Sequence, residues 1–378
     1  MPKPQEVATV SLGGQQYSTW ESVRVELDFM DMATRSFQVS ITEKTDPETG
    51  QRLNSDAVWS AMQIKPGDAC TVALAGIPVI NGFVEQRQTG YDGNHHGVLV
   101  AGRSKTNDYV DGTIDRKSSH FRKKNLEDIA KQILQPFGLQ IRIVNPPKNF
   151  DKKFEDVSSN PGETAHSFIE RLARARGAFV RDDKDGNVVI GTADGQAGGV
   201  RLVEGENIKT MNCLIRDDNV FSKIAAVGQQ RGTDQVWGEP SRKPSAVVSG
   251  ASSRHRPFDI LVEEPGDAED MKARVEHERN VMLGNIIEAT IQVQGWLKNG
   301  AELWDVGETI PVYSPMAMLD HDLGVKTVVF SQDESGTFTT LTLVRPEALG
   351  SIAKPGISSD PNASVLPGGS ATPGQAIP

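Results

Sequence analysis

The stretch that most restricts the fold of this chain is Asn160–Thr192, a helix followed at once by a hairpin. Asn160-Pro161-Gly162-Glu163 carries the signals of a helix start. Asn accepts from exposed backbone N–H groups, Pro fits the first helical position, and Glu stands where a capping box needs it. Ala165, Phe168, Ile169, Leu172 and Ala173 then recur at the spacing that puts them on one helical face. Glu170, Arg171, Arg174 and Arg176 are expected on the wet face. Gly177 suits the left-handed residue after a helix. Ala178-Phe179-Val180 opens a strand, Asp183 to Asn187 turns around Asp185-Gly186, and Val188-Val189-Ile190 returns.

A shorter version precedes it. Asn125 caps, Asp128 takes the box position, and Leu126, Ile129, Ala130, Ile133, Leu134 and Phe137 form the apolar face. Pro136 distorts the last turn and Gly138 ends it. Leu139, Ile141 and Ile143 then alternate as a strand. Helix, glycine and strand thus occur twice in succession, which reads as a small α/β packing module. Neither polar face has the geometry of a catalytic group.

The flanks are β-rich. Val23, Val25 and Leu27 alternate, as do Phe37, Val39 and Ile41. Asp46 to Gly50 is loop chemistry, and Lys65-Pro66-Gly67-Asp68 leads into Cys70, Val72 and Leu74. Val79 to Val84 and Val98-Leu99-Val100 close the set around a turn at Tyr91 to Asn94. On the far side, Val200 to Met211, Val220 to Val227 and Glu288 to Gln294 read as strands. Asp267 to Leu283 reads as a third helix, with Ala268, Met271, Val275 and Met282 on one side. Gln229 to Pro257 is polar and rich in Gly, Pro and Ser, a long loop whose Arg242, Lys243, Arg254, His255 and Arg256 make it a candidate contact surface.

Two of these β stretches share a layout. Pro66-Gly67-Asp68, a strand, Gly82-Phe83-Val84, Asp92-Gly93 and Val98-Leu99-Val100 form the first. Val306-Gly307-Glu308, a strand, Val328-Val329-Phe330, Ser335-Gly336 and Leu341-Thr342-Leu343 form the second. Internal duplication and the common punctuation of small barrels account for this equally well. The expected fold class is α+β, with two small β-barrel-like domains at 1–110 and 296–349 and the helix–strand and helix–hairpin module at 111–200. Connecting strands, the long loop and the third helix occupy 201–295. The Gly/Pro/Ser tail at 350–378 cannot bury enough apolar surface to order itself.

Composition narrows the function. The 378 residues suffice for about two to four domains. A net charge of −10 disfavours binding to a polyphosphate backbone. The two cysteines, Cys70 and Cys213, have neither a CxxC partner nor His companions, so a disulfide scaffold and a structural zinc site are excluded, and two buried free thiols are expected. The N-terminus lacks a signal-peptide pattern, and no apolar run is long enough to span a membrane, which points to folding in a reducing cytoplasm without a membrane anchor.

Candidate chemistry is sparse. His95-His96 sits in a turn, where solvated side chains are expected. Ser104 lacks a GxSxG setting. Val275 to Arg279 is not HExxH, because no second His lies four residues after His277. Arg116, Lys117, His120, Arg122, Lys123 and Lys124 form a basic run, read first as a solvated connection and second as a contact for an acidic protein. No catalytic, cofactor-binding or metal-binding residue is assigned, and no cofactor is expected.

The β region ending Ala101-Gly102-Arg103-Ser104, the helix Glu163 to Gly177, and the entry Trp304-Asp305-Val306-Gly307-Glu308 with its closing hairpin occur in one order. Together they resemble the baseplate hub proteins of contractile-tailed phages, most closely the hub of Mu-like phages (the tail protein P family). That family is in turn similar to the base of type VI secretion spike proteins. The resemblance implies a structural protein of the virion tail baseplate, assembled in the host cytoplasm, and not an enzyme. It implies a homotrimer whose doubled barrels make a pseudo-sixfold ring between the sixfold tail tube and the threefold central spike. Its partners would be itself, the tube, the spike and other baseplate proteins, with DNA passing through without specific binding.

Two alternatives remain. One is a cell-wall hydrolase, whose only clustered acids are Glu163, Glu170, Asp182, Asp183 and Asp185. The other is a nucleic-acid or polyanion module using Arg116 to Lys124 and Arg242 to Arg256, where aromatics do not alternate with the cations as a stacking platform requires.

Overall fold

The computed structural model describes residues 6–30, 33–45, 52–92, 95–114, 119–193, 195–196, 199–227, 245–262 and 268–350. The chain opens with β1 (Ala8–Leu12), β2 (Gln15–Tyr17), β3 (Ser22–Asp28), β4 (Ser36–Thr45) and β5 (Arg52–Leu53). It continues through α1 (Ser55–Ala61), β6 (Ala69–Leu74), β7 (Ile77–Tyr91), β8 (His95–Ser104) and the short α2 (Asn107–Asp111). The next unit holds β9 (His120–Lys124), α3 (Leu126–Leu134), β10 (Ile141–Val144), β11 (Phe154–Ser158), α4 (Ala165–Ala175), β12 (Phe179–Asp182) and β13 (Val188–Gly191). After it come β14 (Gly195–Gln196), β15 (Leu202–Val203), β16 (Thr210–Ile215), β17 (Lys223–Val227), β18 (Ser245–Ser249), β19 (Pro257–Leu261) and α5 (Ala268–Gly284). The chain then forms β20 (Ile287–Gln294), β21 (Leu297–Lys298), β22 (Glu302–Leu303), β23 (Glu308–Ser314), β24 (Leu319–Asp333) and β25 (Gly336–Val344).

The fold is mixed α+β, with several sheets. The two separate barrels expected at either end are instead one continuous ladder, β16-β20-β25-β24-β3-β4-β8-β7-β6-β1-β2, in a 15-stranded sheet. Among the described strands its path is open, so no closed barrel forms. The join is β24 against β3, where Val328 faces Leu27 and Phe330 faces Val25. Those four side chains are at most 1% exposed. They belong to one apolar core shared by both ends of the chain, because hydrogen-bonded strands with matched apolar faces lose most by separating.

Within this ladder a five-strand layout occurs twice in the same chain order. β3, β4, β6, β7 and β8 pair as β6-β7-β8-β4-β3, and β16, β20, β23, β24 and β25 pair as β23-β24-β25-β20-β16. The registers also match. One row across the first set runs Val84, Gly102, Phe37, Val25. The corresponding row of the second runs Val325, Leu343, Ala289, Cys213. Both long strands bulge just after the first residue of that row, between Val84 and Gln86 and between Val325 and Thr327. At both bulges a glycine in the left-handed region closes the turn: Gly67 (φ +92) donates to the Val84 carbonyl at 2.7 Å, and Gly307 (φ +82) to the Val325 carbonyl at 2.9 Å.

The helix–hairpin unit forms with one shift. α4 starts four residues later than the Asn160 signal, because Thr164 Oγ1 accepts from Ser167 N at 3.1 Å and is the working cap. Asn160 and Glu163 close the preceding turn instead, with Glu163 Oε2 accepting from Asn160 N at 2.7 Å. Gly177 (φ +73) ends the helix as anticipated. Phe168, Ile169, Leu172 and Ala173 are fully buried in a second core with α3, which Asn125 caps through Asp128 N. β10 pairs in parallel with β13, and β13 antiparallel with β12. Arg176 is not on the wet side. It is 3% exposed, its guanidinium lies 3.9 Å from the Phe154 ring centroid, and it pairs with Asp270 of α5 at 2.8 Å.

Other departures have local causes. Ser55–Ala61 is helical, a segment the β-rich reading passed over, and it buries Val58 and Ala61. The polar run 229–257 contains β18 and the first residue of β19, which sandwich β17 in a small sheet packed on α5 through Met271 and Val275. Ala268 lies exposed rather than on the apolar side of α5. Val200 to Met211 divides between β15 and β16. The turn at 46–50, residues 93–94, the cations Arg116, Lys117, Arg242 and Lys243, and the tail beyond 350 lie outside the described residues.

Candidate functional site

Four segments distant in sequence converge on one buried polar cluster. Arg35, just before β4, is 2% exposed. Its backbone N–H donates to Asp182 Oδ2 at 3.0 Å and its Nε to Asp182 Oδ1 at 3.4 Å. Its Nη2 reaches Asp305 Oδ1 at 3.0 Å and its Nη1 the Val79 carbonyl at 3.3 Å. Ser104, at the end of β8, donates to Asp182 Oδ2 at 2.5 Å and exchanges hydrogen bonds with Thr34 and Thr106 at 2.8 and 2.6 Å. The cluster therefore ties β4, β8, the end of β12 and the entry to β23 together.

Its electrostatics are those of a structural joint. Burial opposes the Arg35 charge, but the carboxylates of Asp305, Asp182 and Asp183 outweigh it and hold the guanidinium protonated, above its ordinary value. Burial pushes the Asp182 carboxyl up, against the pull of Arg35 and the Ser104 hydroxyl. Ser104 is 0% exposed, and its partners are hydroxyls, the Arg35 backbone and a carboxylate. No imidazole stands beside it as a base.

Of the other acids of the hydrolase alternative, Asp185 is exposed at the hairpin tip and Asp183, Glu163 and Glu170 are engaged in local structure. Asp183 accepts from the backbone N–H of Asp185 and Asn187 and from the Asn187 side chain, holding its own hairpin turn. Glu163 pairs with Arg171 at 2.9 Å, and Glu170 with Arg174 at 2.8 Å. The structure does not bring these five residues into one cleft.

The basic stretches are also locally compensated. His120 to Lys124 is a strand rather than a solvated connection, and Asp156 on its partner strand takes both His120, at 2.6 Å, and Arg122, at 3.2 Å. Arg254 pairs with Asp217, and Arg256 folds back on the carbonyls of Asp217 and Asp218 while covering Phe221. His255 is exposed. His95 and His96 begin β8 rather than sitting free in a loop: His95 pairs with Asp92, and His96 Nδ1 lies 2.9 Å from the buried Glu43.

His277 is 8% exposed and packs its ring 4.8 Å from that of Phe179. It borders a cleft of about 890 Å³ between α5, the end of α4 and residues 145–149. Burial, then the charge of Arg274, lowers its pKa to about 4. Cys70 is buried, and burial pushes its thiol up to about 12. Cys213 is only half-buried, because among the described residues β16 has a strand on one side alone. Among the described residues no group of three or more His, Cys, Asp or Glu is placed to hold a metal ion, and no helix is long and apolar enough to cross a membrane.

What the sequence missed is Arg35 with Thr34 and Thr106, and the pairing of Arg35 with Asp305, a residue marked only as part of the strand entry at 304–308. No local pattern marks these contacts, since Arg35 meets a carboxylate 147 positions away. A lone arginine beside an apolar alternating strand was the only available signal.

Comparison with known proteins fits this frame. Residues 7–104 match the family described as Mu phage baseplate assembly protein GpP-like, N-terminal. Residues 106–192 match baseplate hub protein gp44-like, second domain, and residues 267–351 match Mu phage baseplate assembly protein GpP, fourth domain. The baseplate hub protein gp44 of Escherichia phage Mu is 26% identical over 292 residues, 75% of this chain and 76% of that protein. The crystal structure of the 43 kDa tail protein of prophage MuSo2 from Shewanella oneidensis superposes with a TM-score of 0.75 at 28% identity, covering 91% of this chain and 99% of that one. An E. coli component of the type VI secretion system shares the fold, with a TM-score of 0.52 at 12% identity over 89% of this chain and 76% of its own. With gp44-like and GpP-like baseplate domain models matched in order at 7–104, 106–192 and 267–351, this chain belongs to the Mu-like phage baseplate hub family and is a structural protein of the virion tail.

Proposed function

We propose that the chain is a homotrimeric hub in which each copy contributes two related β modules, so that three copies present six near-equivalent positions. Those positions would meet a sixfold tail tube on one side, while the threefold body meets the central spike on the other. The observation that carries this reading is the repeated five-strand layout, with Gly67 and Gly307 closing equivalent bulges on Val84 and Val325. A threefold object built from a doubled module is the simplest route to six seats, and closed rotation requires two different, complementary faces on each copy. The proposed partners are the tube, the spike and other baseplate proteins.

The central opening of such a ring would pass DNA. A net charge of −10 suits a wall that does not grip phosphate. The role is mechanical rather than enzymatic: Ser104 and Asp182 are committed to the buried joint, Asp183 to its hairpin turn, and Glu163 and Glu170 to ion pairs. Light scattering of the purified chain, alone and with its spike partner, tests the reading, together with particle projections. A mass of three chains and a triad axis are expected. A monomer under every condition overturns it.

A further inference from the structure

The joint between the two modules contains instructions for the joint between copies. Inside the chain, β3 of the first module pairs antiparallel with the second half of β24, beyond its bulge. The equivalent of β3 in the second module is β16, and the equivalent of that half of β24 is residues 86–91 of β7. Among the described residues β16 pairs only with β20, and residues 86–91 pair only with β8. The same two edges that meet within the chain are thus presented a second time and left open.

Side-chain burial follows this difference. Val25 and Leu27 on β3 are 0% and 1% exposed under β24. Their counterparts on β16, Cys213 and Ile215, are half-buried and 46% exposed. Residues 85 to 91 are exposed throughout. Residues 86–91 are mostly polar, so what this edge offers is its row of unpaired backbone N–H and C=O groups, a template for another strand, while the apolar side chains come from β16.

We infer that β16 of one copy adds antiparallel to residues 86–91 of β7 in the next copy, repeating between chains the β3·β24 joint within the chain. The proposal rests on the ring reading above and specifies its interface. Register follows from the matched rows. Val25 faces Phe330, the fifth residue beyond Val325. The fifth beyond Val84 is Thr89, and the counterpart of Val25 is Cys213. Thr89 of one copy therefore faces Cys213 of its neighbour. Backbone polarity agrees: Asp92 N–H donates inward to the His95 carbonyl, so by strand alternation the Thr89 N–H points out to the open edge.

Opposed residues on paired antiparallel strands lie within disulfide reach, with Cα atoms about 4.5–5.5 Å apart. The full chain with Thr89→Cys, retaining native Cys213, is oxidised after its mass has been measured. Covalent dimers and trimers are expected on a denaturing gel without reductant, and none from the natural chain or from Thr89→Cys combined with Cys213→Ser. A second variant, Thr89→Pro, deletes only the outward N–H and is expected to abolish trimers while leaving the melting temperature of the separated chain unchanged. A trimer that neither cross-links nor responds to the proline overturns the edge pairing and leaves the ring standing. A chain that stays monomeric with and without its spike partner overturns both.

Discussion

The Arg35 guanidinium and the Asp182 carboxylate lie 3.4 Å apart with both side chains 3% exposed. This pair clamps the α/β unit onto the first β module, and through Asp305 onto the second. Removing one partner strands a buried charge, so Asp182→Ala is expected to cost about 3–5 kcal/mol. The cost is read from the denaturant midpoint. The double replacement Arg35→Met with Asp182→Leu should recover most of the loss, because the desolvation penalty disappears with both charges. A single-variant cost below about 1 kcal/mol would show that the pair is not the clamp.

Phe168 is 0% exposed, stacks with Phe121 at a centroid distance of 5.9 Å and lies under Arg171. Phe168→Ala should destabilise the chain by about 3–5 kcal/mol, as truncation of a core aromatic leaves a cavity. An unchanged melting temperature would contradict its place in the second core.

Thr164, not Asn160, caps α4. Thr164→Ala should cost about 1 kcal/mol and Asn160→Ala clearly less, since the Asn160 contact runs through its backbone N–H. Equal losses, or the reverse order in chemical melts, would move the helix start back to Asn160.

Acid should weaken the fold through two histidines. Burial, then Arg274, lowers His277 to about 4, and burial, then Arg174, lowers His166 to about 4. The unfolded chain takes up protons near pH 6.5 while the folded chain resists until about pH 4. Stability from these groups is therefore full above the unfolded value, falls as pH drops through that window, and levels below it. The slope is about 1.4 kcal/mol per pH unit for each histidine at most. His277→Gln should flatten the profile in that window. A profile with the same slope in the variant excludes His277 as a source.

Gly67 and Gly307 both hold left-handed backbone, and an added Cβ at Gly67 meets nothing within 4 Å. Gly67→Ala and Gly307→Ala should then each cost about 1–2 kcal/mol through backbone strain. Similar losses in thermal melts are expected of equivalent positions, and a large loss at only one would argue against equivalence.

The sequence by itself determined whatever depends on near neighbours. Periodicity along 126–134 and 165–175, the Asn125 cap, the Gly177 stop and the Asp185-Gly186 hairpin all act within a few residues, so the order of residues suffices to specify them. The doubled layout of glycine, long strand and hairpin was visible for the same reason. Tertiary structure decided the rest. Whether two β modules close separately or share a ladder depends on which edge β3 finds, and its partner β24 lies about 300 residues away. Arg176 and Arg35 look solvent-bound by residue type, yet each is buried because distant carboxylates compensate its charge, Asp182 and Asp305 for Arg35, and Asp270 with the Phe154 ring for Arg176. Helix starts shifted where two capping groups competed, Asn160 and Thr164, and only the path of the incoming chain chose between them. Edges, buried charges and competing caps are decided by contacts made in space, and those depend on parts of the chain that no local pattern brings together.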